Sequence, residues 1–199
     1  MLSHSRTFSG FPESGRNHEA VRRFGWTKKN PEAVRDRLIL KSLYVLGLRV
    51  SELCSLEMEH LQLEEGFVRV TGKGSKVRLI PIYPEAAEEI RDFVNEVRPF
   101  FNPGTSERGI FLSRLGKPLS RVSVWKILKK KAAETGVRAT VHPHTLRHSF
   151  ATHLIQNGAD IRTVQELLGH TNVRTTEIYT HLAPEKLRED LRRYHPFYR

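Results

Sequence analysis

Apolar positions recur at helical spacing over most of this chain and alternate over only one stretch. Asn30-Pro31 places a capping residue before a proline at the first helical position, and Leu38, Ile39, Leu43 and Leu46 follow on one face as far as Gly47. Ser51 offers a cap for a second short helix, SELCSLEME. Over residues 67–82 the period changes. FVRV and KVRLIPI, separated by TGKGS, predict a β-hairpin with Lys73 at its tip, and Ile110 to Leu112 suggests a third strand.

Pro84 opens another helix, EAAEEIRDFVNEV. Beyond Leu119 a helix of about 14 residues is expected, with Val122, Trp125, Leu128 and Ala132 on its apolar face and Lys126, Lys129 and Lys130 outward. HTLRHSFATHLIQN then runs to Gly158, Asp160 caps IRTVQELL, and Gly169 ends it. A Thr-rich stretch leads to Tyr179, and Pro184 begins a C-terminal helix. The expected fold class is mainly α with a small antiparallel β-sheet. Residues 1–29, polar and carrying FSGFPESG without a sustained apolar period, read as an arm preceding one domain over residues 30–199.

Charge narrows the partner. The 33 Lys and Arg exceed the 22 Asp and Glu and leave a formal +11, which attracts a polyanion: nucleic acid first, an acidic membrane surface second. Residues 121–138 carry six basic residues against one Glu, so Arg121, Lys126, Lys129 and Lys130 are candidate phosphate contacts, although a solvated face fits the same pattern. No apolar run approaches the ~20 residues of a spanning helix, and the first residues lack a signal peptide's apolar centre, so a cytoplasmic protein is expected. Cys54 is the single cysteine and excludes an intrachain disulfide.

Seven of the ten histidines follow residue 140, which raises the question of a metal. His144 and His148 lie four apart, but Thr145 stands where a zinc hydrolase needs Glu, and Arg147 would set a positive charge beside the ion. No metal or other cofactor is expected. His144 and Arg147, three apart on a helix, instead suit the oxygens of a phosphate. Singly, each candidate has a plain explanation: Arg49 pairing with Glu52, Lys73 as a solvated hairpin tip, Tyr179 packed on the core.

Together and in this order, GLRVSEL around Arg49, TGKGSKVR around Lys73, HTLRH over His144 to His148, LLGH at His170 and IYTHL around Tyr179 resemble the tyrosine recombinase family, most closely the Xer recombinases. The resemblance runs from about residue 33 to residue 196, with HSFATHL and the closing His195-Pro196 included. It implies that Arg49 and Arg147 hold the scissile phosphate and that His144 and His170 complete the pocket. Lys73 would protonate the leaving oxygen and Tyr179 would attack, giving a site-specific recombinase with a 3′-phosphotyrosyl intermediate. Physical chemistry suits these roles. Charge gathers on the equatorial oxygens of a phosphoryl transition state, where fixed cationic donors act most strongly, and a tyrosine of reference pKa ~10 needs such surroundings to lose its proton.

The implied partner is double-stranded DNA, touched also by Lys76, Arg121, Lys126, Lys129 and Lys130. The implied assembly is a homotetramer on paired sites, alone or with a second recombinase. Most relatives add an N-terminal helical core-binding domain, which residues 1–29 are too short to form, so that domain is expected to be absent. Leu187, Leu191 and Tyr194 stripe the last helix, which either docks on a neighbouring copy or packs on its own core. Two rival readings share much of this signature: a type IB topoisomerase, and a DNA-binding regulator that does not cut.

Overall fold

The computed structural model describes residues 30–72, 74, 76–102, 107–136, 142–169 and 183–196; the expected arm, residues 1–29, lies outside them. Helix α1 (Pro31–Val45) starts as its sequence dictates: the Asn30 side chain accepts from the Ala33 amide at 3.2 Å, and Pro31 fills the first turn, where no amide is needed. Leu38, Ile39, Leu43 and Leu46 are buried on one stripe. Gly47 then turns the chain at φ 56°, and a Cβ there would come within 2.7 Å of the Phe150 ring, so both backbone and packing call for glycine.

The segment expected as one short helix is two turns. Helix α2 (Val50–Cys54) closes with Ser55 as its C-cap, and a separate 3₁₀ turn, Met58–His60, begins where the His60 ring accepts from the Glu57 amide. The sheet is antiparallel in the order β1 (Leu61–Gln62), β2 (Phe67–Thr71), β3 (Val77–Pro81). Val68 faces Ile80 and Val70 faces Arg78, so Arg78 occupies a register position on the sheet's buried side. The third strand is therefore Leu61–Gln62 and not Ile110 to Leu112. That segment is buried by its side chains, but its backbone pairs elsewhere: Leu112 makes an isolated bridge to Pro118, the Ile110 amide donates to the Leu56 carbonyl, and the Phe111 carbonyl accepts from the Leu119 amide.

Helix α3 (Pro84–Asp92) runs on through a π turn, Phe93–Val97, and a 3₁₀ turn, Arg98–Phe101. Helix α4 (Arg121–Glu134) has the expected length and a rotated face: Val124, Ile127 and Leu128 are buried, while Val122 is 61% and Trp125 38% exposed. Only Leu128 of the expected stripe is deeply buried. The Trp125 ring lies outside, with the Lys129 ammonium 5.2 Å from its centre.

A second core gathers α5 (Pro143–Gln156), α6 (Ile161–Leu168) and α7 (Ala183–Tyr194) around Phe150, Leu154, Val164, Leu167, Leu187 and Leu191. Asp160 stands at the N-cap of α6 without a side-chain capping bond, and Gly169 ends that helix in the left-handed conformation at φ 65°. The stripe on α7 is covered within this chain, where Leu187 and Leu191 pack against Phe150 and Leu154. Burying Leu187 and Leu191 contributes roughly 2 kcal/mol each. Polar ties hold the same helix: Arg188 donates to the Glu65 carbonyl at 2.6 Å and stacks 4.7 Å over Phe67, and Thr163 donates to Asp190 at 3.0 Å. His195 follows fully buried, its ring 5.2 Å from that of Tyr44 and 5.4 Å from that of Phe150.

Candidate active site

Two cores meet where the loop after α1 runs beneath the end of α6. Arg49 is the N-cap residue of α2, and Glu52, three residues on, folds back on it: the Arg49 amide donates to Oε2 and its Nη1 to Oε1, both at 2.8 Å. Arg147, in the second turn of α5, is buried at 8% exposure and lies 3.9 Å from Glu52 Oε2. Its guanidinium donates to the carbonyls of Gly47 and Leu168. The turn that requires glycine at 47 therefore also delivers an acceptor to this arginine.

A third arginine completes the group. Arg78 forks onto Glu52, Nη1 to Oε1 and Nη2 to Oε2, each at 2.9 Å, and its Nε donates to the Leu167 carbonyl at 3.0 Å. Arg49 Nη2 reaches the Gly169 carbonyl at 3.4 Å. Three successive carbonyls at the end of α6 thus each receive one guanidinium, which satisfies acceptors a helix C-terminus leaves open and suits its negative dipole end. Sequence reasoning missed Arg78. The available signal was an arginine at the inward position of an alternating strand, where an apolar residue belongs unless a buried acid awaits it.

Electrostatics follow from the crowding. Burial would raise the Glu52 carboxyl, but the Arg78 hydrogen bonds, the Arg49 amide and their charges outweigh it and hold the group at about 2. Arg147 moves the other way, down to about 10, first through burial and then through the neighbouring charge of Arg49, with Glu52 opposing. A cation held under such strain gains most from an incoming anion. Three guanidiniums against one carboxylate leave the cluster a net positive charge, and Arg49 keeps 34% of its side chain exposed.

His144 is exposed one turn before Arg147 on α5. Lys76 is exposed just before β3, and Arg121, Lys126, Lys129 and Lys130 are exposed along α4, which packs on α2. Lys130 approaches Glu134 at 3.9 Å, a contact too exposed to neutralise that face. Lys73, His170 and Tyr179 lie outside the described residues. The structure therefore brings together Arg49, Glu52, Arg78 and Arg147, and leaves the three other candidates, Lys73, His170 and Tyr179, without a described position. His153 on α5 has its Nδ1 2.7 Å from the Tyr44 hydroxyl.

A sequence model of the phage integrase family matches residues 16–186. The chain belongs to the phage integrase family. Its curated relatives include tyrosine recombinase XerD of Staphylococcus aureus strain Mu50, 46% identical over 162 residues, which are 81% of this chain and 55% of the relative. The Staphylococcus saprophyticus XerD is 44% identical over the same share. The chain spans about half the length of the curated relatives it matches. Among solved structures, XerA recombinase is similar at a TM-score of 0.65 and 30% identity, covering 90% of this chain and 64% of that one. XerH bound to palindromic difH in a post-cleavage complex is similar at 0.62 and 29%, covering 87% and 49%. As a phage integrase family member with tyrosine recombinase relatives, the chain has the mainly helical fold and small antiparallel sheet of those catalytic domains.

Proposed function

We propose that this chain is a site-specific DNA recombinase that cleaves and rejoins DNA through a 3′-phosphotyrosyl intermediate at Tyr179. The observation that carries the reading is the pairing of Arg49 and Arg147 over one buried carboxylate in a phage integrase family member, a geometry suited to the non-bridging oxygens of one phosphate. Tyr179 Oη attacks the phosphorus, the bond to the 5′ oxygen breaks, and the charge on the equatorial oxygens is met by Arg49, Arg147, His144 and His170. Lys73 protonates the departing 5′ oxygen. Phosphodiester energy is retained in the phosphotyrosyl bond, so a 5′ hydroxyl from another strand reverses the step and reseals the DNA.

Lys76, Arg121, Lys126, Lys129 and Lys130 bind the duplex on either side of the reacting phosphate through backbone contacts. Exchange between two duplexes needs four cuts, hence a tetramer on paired sites, formed by this chain alone or with a second recombinase. The chain works in the cytoplasm and no metal or cofactor enters the reaction. Incubation with a nicked suicide duplex, followed by a denaturing gel, tests the reading. A covalent adduct is expected with the parent and none with Tyr179→Phe, at equal duplex affinity. A parent that binds and never forms an adduct would mark a DNA-binding regulator, and plasmid relaxation by monomers would mark a topoisomerase.

A further inference from the structure

Arg78 presents a question that its burial sharpens. At 8% exposure, with both Nη atoms on Glu52 and Nε on the Leu167 carbonyl, it is committed to neighbours inside the protein. Yet it brings a full charge into a site that already holds two others. We propose that Arg78 is a positioning residue that neutralises Glu52, so that Arg49 and Arg147 keep their own charge for an incoming phosphate. This rests on the recombinase reading above.

The geometry supports neutralisation over simple bracing. Glu52 has two oxygens, and Arg78 occupies both in a parallel fork at 2.9 Å. Arg49 is left one side-chain bond, to Oε1, and Arg147 is held off at 3.9 Å. Without the Arg78 fork, the same carboxylate would take Arg49 in two bonds or close on Arg147, turning inward the guanidiniums that must face the substrate. The charge count points the same way: three guanidiniums and one carboxylate leave +2, and removing Arg78 leaves +1. Space is reserved for the arrangement, since a Cβ at Gly169 would lie 3.1 Å from Arg78 Cδ.

The test compares Arg78→Gln with Arg78→Gln/Glu52→Gln in the full chain. The double variant removes one positive and one negative charge and so returns the net charge to that of the parent. Cleavage is read on a nicked duplex obtained by trapping adducts of the parent from a pool with a randomised centre. Anion binding is read separately, as the rise in thermal midpoint with inorganic phosphate.

Arg78→Gln is expected to cleave about 30-fold more slowly than the parent, the double variant about fivefold faster than Arg78→Gln, with phosphate stabilisation falling and returning in step. A brace makes the opposite forecast, because a second truncation cannot repair a lost strut. Adducts from the parent, with a folded double variant no faster than Arg78→Gln, would overturn the role of Arg78 and leave the recombinase reading standing. No adduct from the pool, with phosphate stabilisation lost and restored as above, would reject the recombinase reading and support the role of Arg78. If Arg78→Gln fails to fold, Arg78→Lys, which keeps the charge and loses the fork, decides: cleavage within tenfold of the parent supports neutralisation, and a larger loss overturns it.

Discussion

Replacing Glu52 with Gln should be among the most destabilising single changes in the second half of α2. The carboxyl is 4% exposed and held at about 2, against 4.5 for the ordinary group. Because the folded-state pKa is depressed, the stabilisation is present in full above 4.5 and is lost as pH falls toward 2. At roughly 1.4 kcal/mol per unit this is about 3 kcal/mol at neutral pH, declining to about 2 kcal/mol at pH 3.5. Three guanidiniums left facing one another act in the same direction, and breaking a buried pair from one side typically costs about 3–5 kcal/mol. Urea unfolding followed by circular dichroism, for parent and Glu52→Gln at pH 7 and pH 3.5, measures the difference at each pH. His195 is common to both proteins and cancels. A difference under about 1 kcal/mol at pH 7, or one that grows toward pH 3.5, would refute the assignment of Glu52 as the ionised hub of the cluster.

Gly47→Ala should lose about 2–4 kcal/mol, from the left-handed backbone and the clash with Phe150, and thermal unfolding should show it; an unchanged midpoint would contradict the described turn. His195, lowered to about 4 by burial and then by His153, should make the fold acid-sensitive: the unfolded chain takes a proton below 6.5 and the folded one only near 4. Stability is therefore complete above 6.5 and falls by about 3 kcal/mol by pH 4, a slope His195→Phe should flatten in urea titrations across that window. Duplex affinity should fall steeply with salt, with a log–log slope near about −5 for about six phosphate contacts, and a slope near zero would mean that the +11 charge is not used on DNA.

Much of the architecture was legible because it is written in local chemistry. Asn30-Pro31 starts α1, Pro84 starts α3, Gly169 ends α6, and the two glycines of TGKGS separate β2 from β3; each rule operates within a few residues of itself. The order of the motifs around Arg49, His144 and Arg147 was likewise readable along the chain, and so was the exposure of Lys126, Lys129 and Lys130. Which side of α4 is buried was not, since Val122 and Trp125 have the right spacing but the first core takes up Val124 and Ile127 instead. The partner of the apolar stripe on α7 was equally open until Leu187 and Leu191 were seen against Phe150 and Leu154. Arg78 is the clearest case. Its contacts lie 26 residues back at Glu52 and 89 residues ahead at Leu167, and Arg49 reaches 120 residues to Gly169. Periodicity carries information over a turn or two of chain; only tertiary packing brings a hairpin, a short helix and the end of another helix to one carboxylate, because burying that carboxylate is tolerable only once all of its cations have arrived.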